Sequence, residues 1–150
     1  MNPNSFTIHL RFDIDGSCAR VWKALIHETD HWWSKDFYTQ PDTQSFIIEE
    51  QLDGKMYEQG LDGNGLIWGT VIGLQKGKEI SIRGNLSHRF GGPAISFLHL
   101  KLEEGEETTC ALILDESYMG AVTDKLKEDI TAGWKAIFGE SLKKYVESGK

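Results

Sequence analysis

The residues with the most explicit chemistry stand together, because His27-Glu28-Thr29-Asp30-His31 spells an HExxH string. Carried on one helix, two histidines at i and i+4 can share a zinc ion while the glutamate activates its water. The surroundings argue against that use. Asp30 puts a charge where such motifs keep uncharged residues, and the string begins just past Ile26, where helical periodicity is running out. No later His or Glu is placed by a recognisable motif as a third ligand. A junction between two short helices is expected instead, with no metal and no cofactor.

Other ionisable residues are less organised. His99 lies inside AISFLHLKL on the same side as Ile95 and Phe97. A histidine among strand apolars is a candidate cavity-facing acid or base, since its unperturbed pKa lies close to neutrality. His88, Glu50 and Glu58 belong to no motif. Asp115 and Glu116 follow the apolar run ALIL and are expected at a strand end emerging into solvent. No serine has an identifiable histidine partner, and no glycine loop is built to cradle phosphate, so no catalytic residue is assigned. Cys18 and Cys110 lack CxxC spacing and sit in apolar-periodic segments. Both are expected to be buried free thiols.

These residues need elements to hold them. Phe6, Ile8, Leu10, Phe12 and Ile14 alternate with polar residues, the period of a half-buried strand. Asp15-Gly16-Ser17 breaks the strand, and Ser17 can cap a helix that carries Val21, Trp22, Leu25 and Ile26. A second short helical piece holds Trp32 and Trp33. Six strands follow: SFIIEEQL, KMYEQG, GLIWGTVIGL, KEISIRG, AISFLHLKL and TTCALILDES, joined mostly by Gly-, Asn- and Asp-bearing turns of hairpin type. From about Thr123 a long helix carries Leu126, Ile130, Trp134, Ile137, Phe138, Leu142 and Tyr145 as one apolar stripe. The chain therefore reads as one α+β domain over residues 1–150. Its seven-stranded, mostly antiparallel sheet is covered by the only helix long enough to cover it.

Composition narrows the partners. A chain of 150 residues can bury roughly 70% of its unfolded surface, and 39% hydrophobic residues supply that core. A net charge of −7, with scattered Lys and Arg, disfavours nucleic acid and anionic membranes. The opening residues show no secretion signal, and no apolar run approaches the roughly 18 residues of a membrane helix. A cytoplasmic location is expected.

The run Val21 to Leu25 (VWKAL) after a strand and a small-residue turn, the pair Trp32-Trp33 about ten residues later, and Gly133-Trp134 in the last helix form a pattern. It resembles the SRPBCC or START-like helix-grip superfamily, and within it the homologues of the activator of heat-shock-chaperone ATPase (AHSA-like). Ile82 and Arg83 stand where that subfamily usually carries a tryptophan. The superfamily resemblance implies a sheet curved around the C-terminal helix, two short helices after the first strand, and a cavity often occupied by an apolar ligand. Trp32, Trp33 and Phe37 fall where the resemblance puts the cavity mouth. Trp68, His99, Tyr118, Trp134 and Phe138 complete the candidate lining, and one of the two consecutive tryptophans is expected to be partly exposed.

The leading expectation is a non-catalytic module that binds a small apolar or amphipathic molecule. A chaperone-assisting interaction domain is the first alternative, and a cyclase- or hydrolase-type enzyme is the second. Ligand identity and oligomeric state have no signature in the sequence.

Overall fold

The computed structural model describes residues 4–149. Strand β1 (Asn4–Asp15) leads through Gly16 and the capping Ser17 into helix α1 (Cys18–His27) and the short α2 (Thr29–Trp32). A 3-10 turn at Lys35–Phe37 precedes β2 (Ser45–Ile48), β3 (Lys55–Gln59), β4 (Gly65–Gln75), β5 (Glu79–Leu86), β6 (Ala94–Glu104) and β7 (Thr109–Gly120). The strands form one antiparallel sheet in the order β1-β7-β6-β5-β4-β3-β2. It is a meander, except that the first strand pairs with the last. The C-terminal helix runs as α3 (Asp124–Trp134), a π-helical stretch (Lys135–Leu142) and α4 (Lys143–Ser148) without a break in the chain's helical course.

Alternation selects the inner face of every strand. On β7 the inward residues are Cys110, Leu112, Leu114, Glu116 and Tyr118, and on β6 they are Ser96, Leu98, Leu100 and Leu102. Against them the C-terminal helix buries Trp134, Ile137, Phe138, Leu142 and Val146. Gly139 lets the helix approach β1 closely, since a methyl group there would lie 2.9 Å from the Phe12 ring. One end of the interior is closed by α1, which buries Val21, Trp22, Ala24, Leu25 and Ile26.

Two local expectations are corrected. Trp32 and Trp33 are both buried, at 5% and 3% exposure. Helix α2 ends at Trp32, and Trp33 already has an extended backbone, so the helical spacing that would have pointed them apart does not apply. Trp33 stacks on Phe46 with ring centroids 3.7 Å apart. The cysteines are not free thiols either, because Cys18 and Cys110 form a disulfide with Cα atoms 5.1 Å apart. The pairing of β1 with β7 sets Ile14 opposite Cys110, and the tight turn that follows brings the first residue of α1 back over that point.

The HExxH string is dismantled by the same geometry. Glu28 ends α1 and opens α2, so the two histidines do not share one helix. His27 pairs with Glu50 at 3.3 Å, Glu28 takes Arg20 at 2.6 Å, and the His31 ring stacks on Tyr145. Thr29 and Asp30 bond the Phe46 carbonyl and amide, which fastens α2 to β2.

Candidate functional site

Strand register decides where the interior is hollow. Across the sheet, Leu74, Ile80, Leu100, Leu114 and Leu10 stand opposite one another on β4, β5, β6, β7 and β1 and fill their part of the interior with branched side chains. Nearer the other end, the corresponding row is Met56, Gly69, Gly84, Ser96, Tyr118 and Phe6. Its centre holds two glycines and a serine. The helix above that row presents Gly133, whose missing side chain would meet nothing nearer than the Phe37 ring at 3.7 Å. Small residues on both sides leave a cavity of about 330 Å³.

The walls are mainly apolar: Met56, Leu66, Ile82 and Leu98 from the sheet, and Ile130, Trp134 and Ile137 from the helix. Phe37, Phe90 and Leu126 are half-exposed and mark the rim. Trp68 reaches in from a β-bulge, where β3 and β4 shift register between Met56 and Tyr57. The extra residue in β4 turns the indole toward the hollow, the usual effect of a bulge on side-chain aim.

Two buried glutamates hold this region, in opposite electrostatic settings. Glu58, at 1% exposure, accepts hydrogen bonds from the Thr39 amide (2.8 Å) and hydroxyl (2.6 Å), the Thr43 hydroxyl (2.7 Å) and Trp68 Nε1 (2.8 Å). Burial pushes its pKa up, but these donors outweigh burial and hold it below the ordinary carboxylate range. Glu58 thus fixes both the segment after the 3-10 turn and the Trp68 indole. It is a structural anion.

Glu116, at 2% exposure, lines the cavity itself. Trp134 Nε1 donates to its Oε1 at 2.7 Å, and the hydroxyls of Tyr118 and Ser96 sit beside the same carboxylate and favour its charge. Burial dominates here and raises its pKa to about 7. Burial and the adjacent carboxylate also push the Tyr118 phenol well above its ordinary value. Glu116 is therefore a carboxyl group poised between acid and anion inside an apolar chamber.

The sequence-derived lining residues divide cleanly. Phe37, Trp68, Tyr118 and Trp134 line the cavity. Trp32, Trp33 and Phe138 pack in the adjoining core, where Phe138 stacks on Trp134 with centroids 5.1 Å apart. His99 is a correction. It shares a face with Ile95 and Phe97 as the alternation requires, but that face is the outer one, and its Nε2 lies 3.3 Å from Glu79. Glu116 is the converse correction, since it was expected in solvent. Asp115 does face solvent, beside His9, and Glu116 points the other way. The signal was present in the unbroken alternation Leu112, Leu114, Glu116, Tyr118.

No protein-family model matches the sequence, and no curated protein matches it significantly. Solved structures do. Ara h 8.0201 superposes with a TM-score of 0.68 at 15% identity, over 97% of this chain and 99% of that one. The fold is the helix grip. The protein of unknown function SA2116 from Staphylococcus aureus gives a TM-score of 0.68 at 11% identity, over 98% of this chain and 96% of that one. DynU16, a putative protein of the dynemicin biosynthetic locus, gives 0.70 at 16% identity over 96% of this chain. This chain spans about half of DynU16, 48% of its length. At such identities the likeness is one of architecture, since one fold carries many functions.

Proposed function

We propose that this protein is a non-catalytic binding module that holds a small apolar or amphipathic molecule between its sheet and its C-terminal helix. The observation behind this reading is the cavity of about 330 Å³, apolar on most sides and opening at the rim of Phe37, Phe90 and Leu126. Its volume falls within the range of small-molecule sites, and a few convergent polar groups in an apolar chamber are their usual make-up. Phe37, Trp68, Tyr118 and Trp134 are the sequence-derived residues that would touch the ligand, and Trp32, Trp33 and Phe138 would support them from behind.

The test uses the uncharged fluorescent probe phenylnaphthylamine. Saturable binding that quenches tryptophan emission is expected, because Trp68 and Trp134 both line the chamber. Native mass spectrometry of protein purified under gentle conditions should retain a bound small molecule. A probe that fails to saturate would remove the proposal.

An enzymatic reading has one observation in its favour. A carboxyl group with a pKa of about 7 suits proton transfer at neutral pH. A cyclase- or hydrolase-type activity would therefore run through Glu116 and not His99, and would be abolished in Glu116→Gln. The chaperone-assisting reading rests on the AHSA-like motifs alone, and co-purification with a chaperone is its test. The Cys18–Cys110 bridge counts against the cytoplasmic placement, because disulfides persist chiefly in oxidising compartments. No helix among the described residues is long and apolar enough to cross a membrane.

A further inference from the structure

Building on the binding-module reading, we propose that the cavity selects its ligands by the charge of their polar end. It accepts amphipaths that end in a hydrogen-bond donor, an alcohol, phenol or amine, and rejects those that end in a carboxylate.

The charges around the chamber carry this inference. Among the described residues its lining holds two acids, Glu116 on the floor and Asp129 toward the rim, and no Lys, Arg or His. The cation paired with Asp129, Lys125, bonds it at 2.7 Å from a largely solvent-exposed position. An incoming carboxylate therefore meets no positive group inside. It would have to lie near Glu116 in a low-dielectric space, where two acids cannot both ionise cheaply. An alcohol or amine meets a carboxylate able to accept its hydrogen.

The groups packed around Glu116 reinforce the choice. Tyr118 lies on its own strand, β6 contributes Ser96 and Leu98, and β1 contributes Ile8 and Phe6. The helix contributes Trp134, with Ile137 and Asp129 also in the lining. Of these, Trp134 can only donate, and it already serves Oε1. The hydroxyls of Ser96 and Tyr118 can turn to pass a hydrogen bond from ligand to carboxylate. Nothing in the cluster can neutralise a second anion.

The experiment is a competition against phenylnaphthylamine by decanol, decylamine and decanoate, which share one apolar body. At about pH 8 the alcohol and amine should displace the probe, with decanoate at least roughly tenfold weaker than either. In Glu116→Gln the gap between alcohol and carboxylate should shrink to less than about threefold. If that variant does not fold, the wild type still decides. The gap should narrow as pH falls from about one unit above to about one unit below the Glu116 pKa of about 7. Decanoate competing as well as decanol, or a gap that is constant across that range, would overturn the selectivity while leaving the binding module standing. A probe that does not bind at all would overturn the module itself.

Discussion

Two rows of the same sheet face the same interior with different consequences. Leu74, Ile80, Leu100, Leu114 and Leu10 present branched side chains that join the packed core, whereas Gly69, Gly84, Ser96 and Tyr118 present two hydrogens, a hydroxymethyl group and a phenol. Leu114 and Tyr118 are only four residues apart on β7, roughly 13 Å along the strand. Adjacent stretches of each strand thus do separate work. The filled row and the α1 end beyond it supply cohesion, and the hollow row supplies room and a poised carboxyl group.

The difference can be broken first at the filled end. Replacing both Cys18 and Cys110 by serine opens a connection across 92 residues of sequence and should cost about 4 kcal/mol. Chemical denaturation would show it as a large drop in midpoint, with probe affinity retained at temperatures where the variant is folded. Leu114→Ala should cost about 3 kcal/mol, within the range for fully buried leucines. Leu114 is fully buried, so a loss below about 1 kcal/mol would mean that this row is looser than its packing indicates.

The hollow row should respond to pH instead. Glu116 is held near 7 when folded and titrates near 4.5 when unfolded, so the folded protein keeps a proton that the unfolded chain has released in that interval. Its contribution is fully favourable below that interval and is lost as pH rises through 7, by up to about 3 kcal/mol. Glu58 has the opposite sign. Its lowered pKa contributes stability above the unfolded value, and that contribution is lost as pH falls through its folded value. Denaturation of wild type and Glu116→Gln at about pH 5 and about pH 8 separates the two, because the substitution should flatten only the upper slope. A slope unchanged by the substitution would assign the titration elsewhere.

The smallest expected stability effect belongs to Gly133→Leu. The added side chain would enter the cavity, with only Phe37 in van der Waals range of its first carbon. Stability should change by less than about 1 kcal/mol, since leucine is also the better helix former. Phenylnaphthylamine affinity should fall at least about tenfold, a contrast in which function is lost without fold. Unchanged affinity in the folded variant would show that this face of the helix does not bound the site.

Much of the architecture was legible in the sequence because it is periodic. Alternation from Phe6 to Ile14 gave β1, and the stripe through Trp134, Phe138 and Leu142 gave the covering helix. What alternation cannot do is say which face points inward. His99 was assigned with Ile95 and Phe97 to one side correctly, but Leu98, Leu100 and Leu102 form the heavier apolar face and take the interior. Glu116 was misread because its charge suggested a strand end, although the apolar alternation continues past it to Tyr118. The hollow and the disulfide depend on long-range register. Gly69, Gly84 and Ser96 align only once β4, β5 and β6 are paired, and Cys18 meets Cys110 only once β1 lies against β7. Residues far apart in the chain carry no mark of such a meeting.

The bond between Cys18 and Cys110 closes residues 18–110 into a covalent ring with two tails. Phe37 and Trp68 lie within the ring, while Glu116, Tyr118 and Trp134 all lie on the C-terminal tail. The chamber is thus assembled from a cyclic part and a linear part. A proteolytic nick between Ser87 and Pro93, inside the ring, leaves one molecule that separates into two pieces only under reducing conditions. A nick after Gly120 meets no such tether, and on denaturation it frees the helix together with the indole that Glu116 binds.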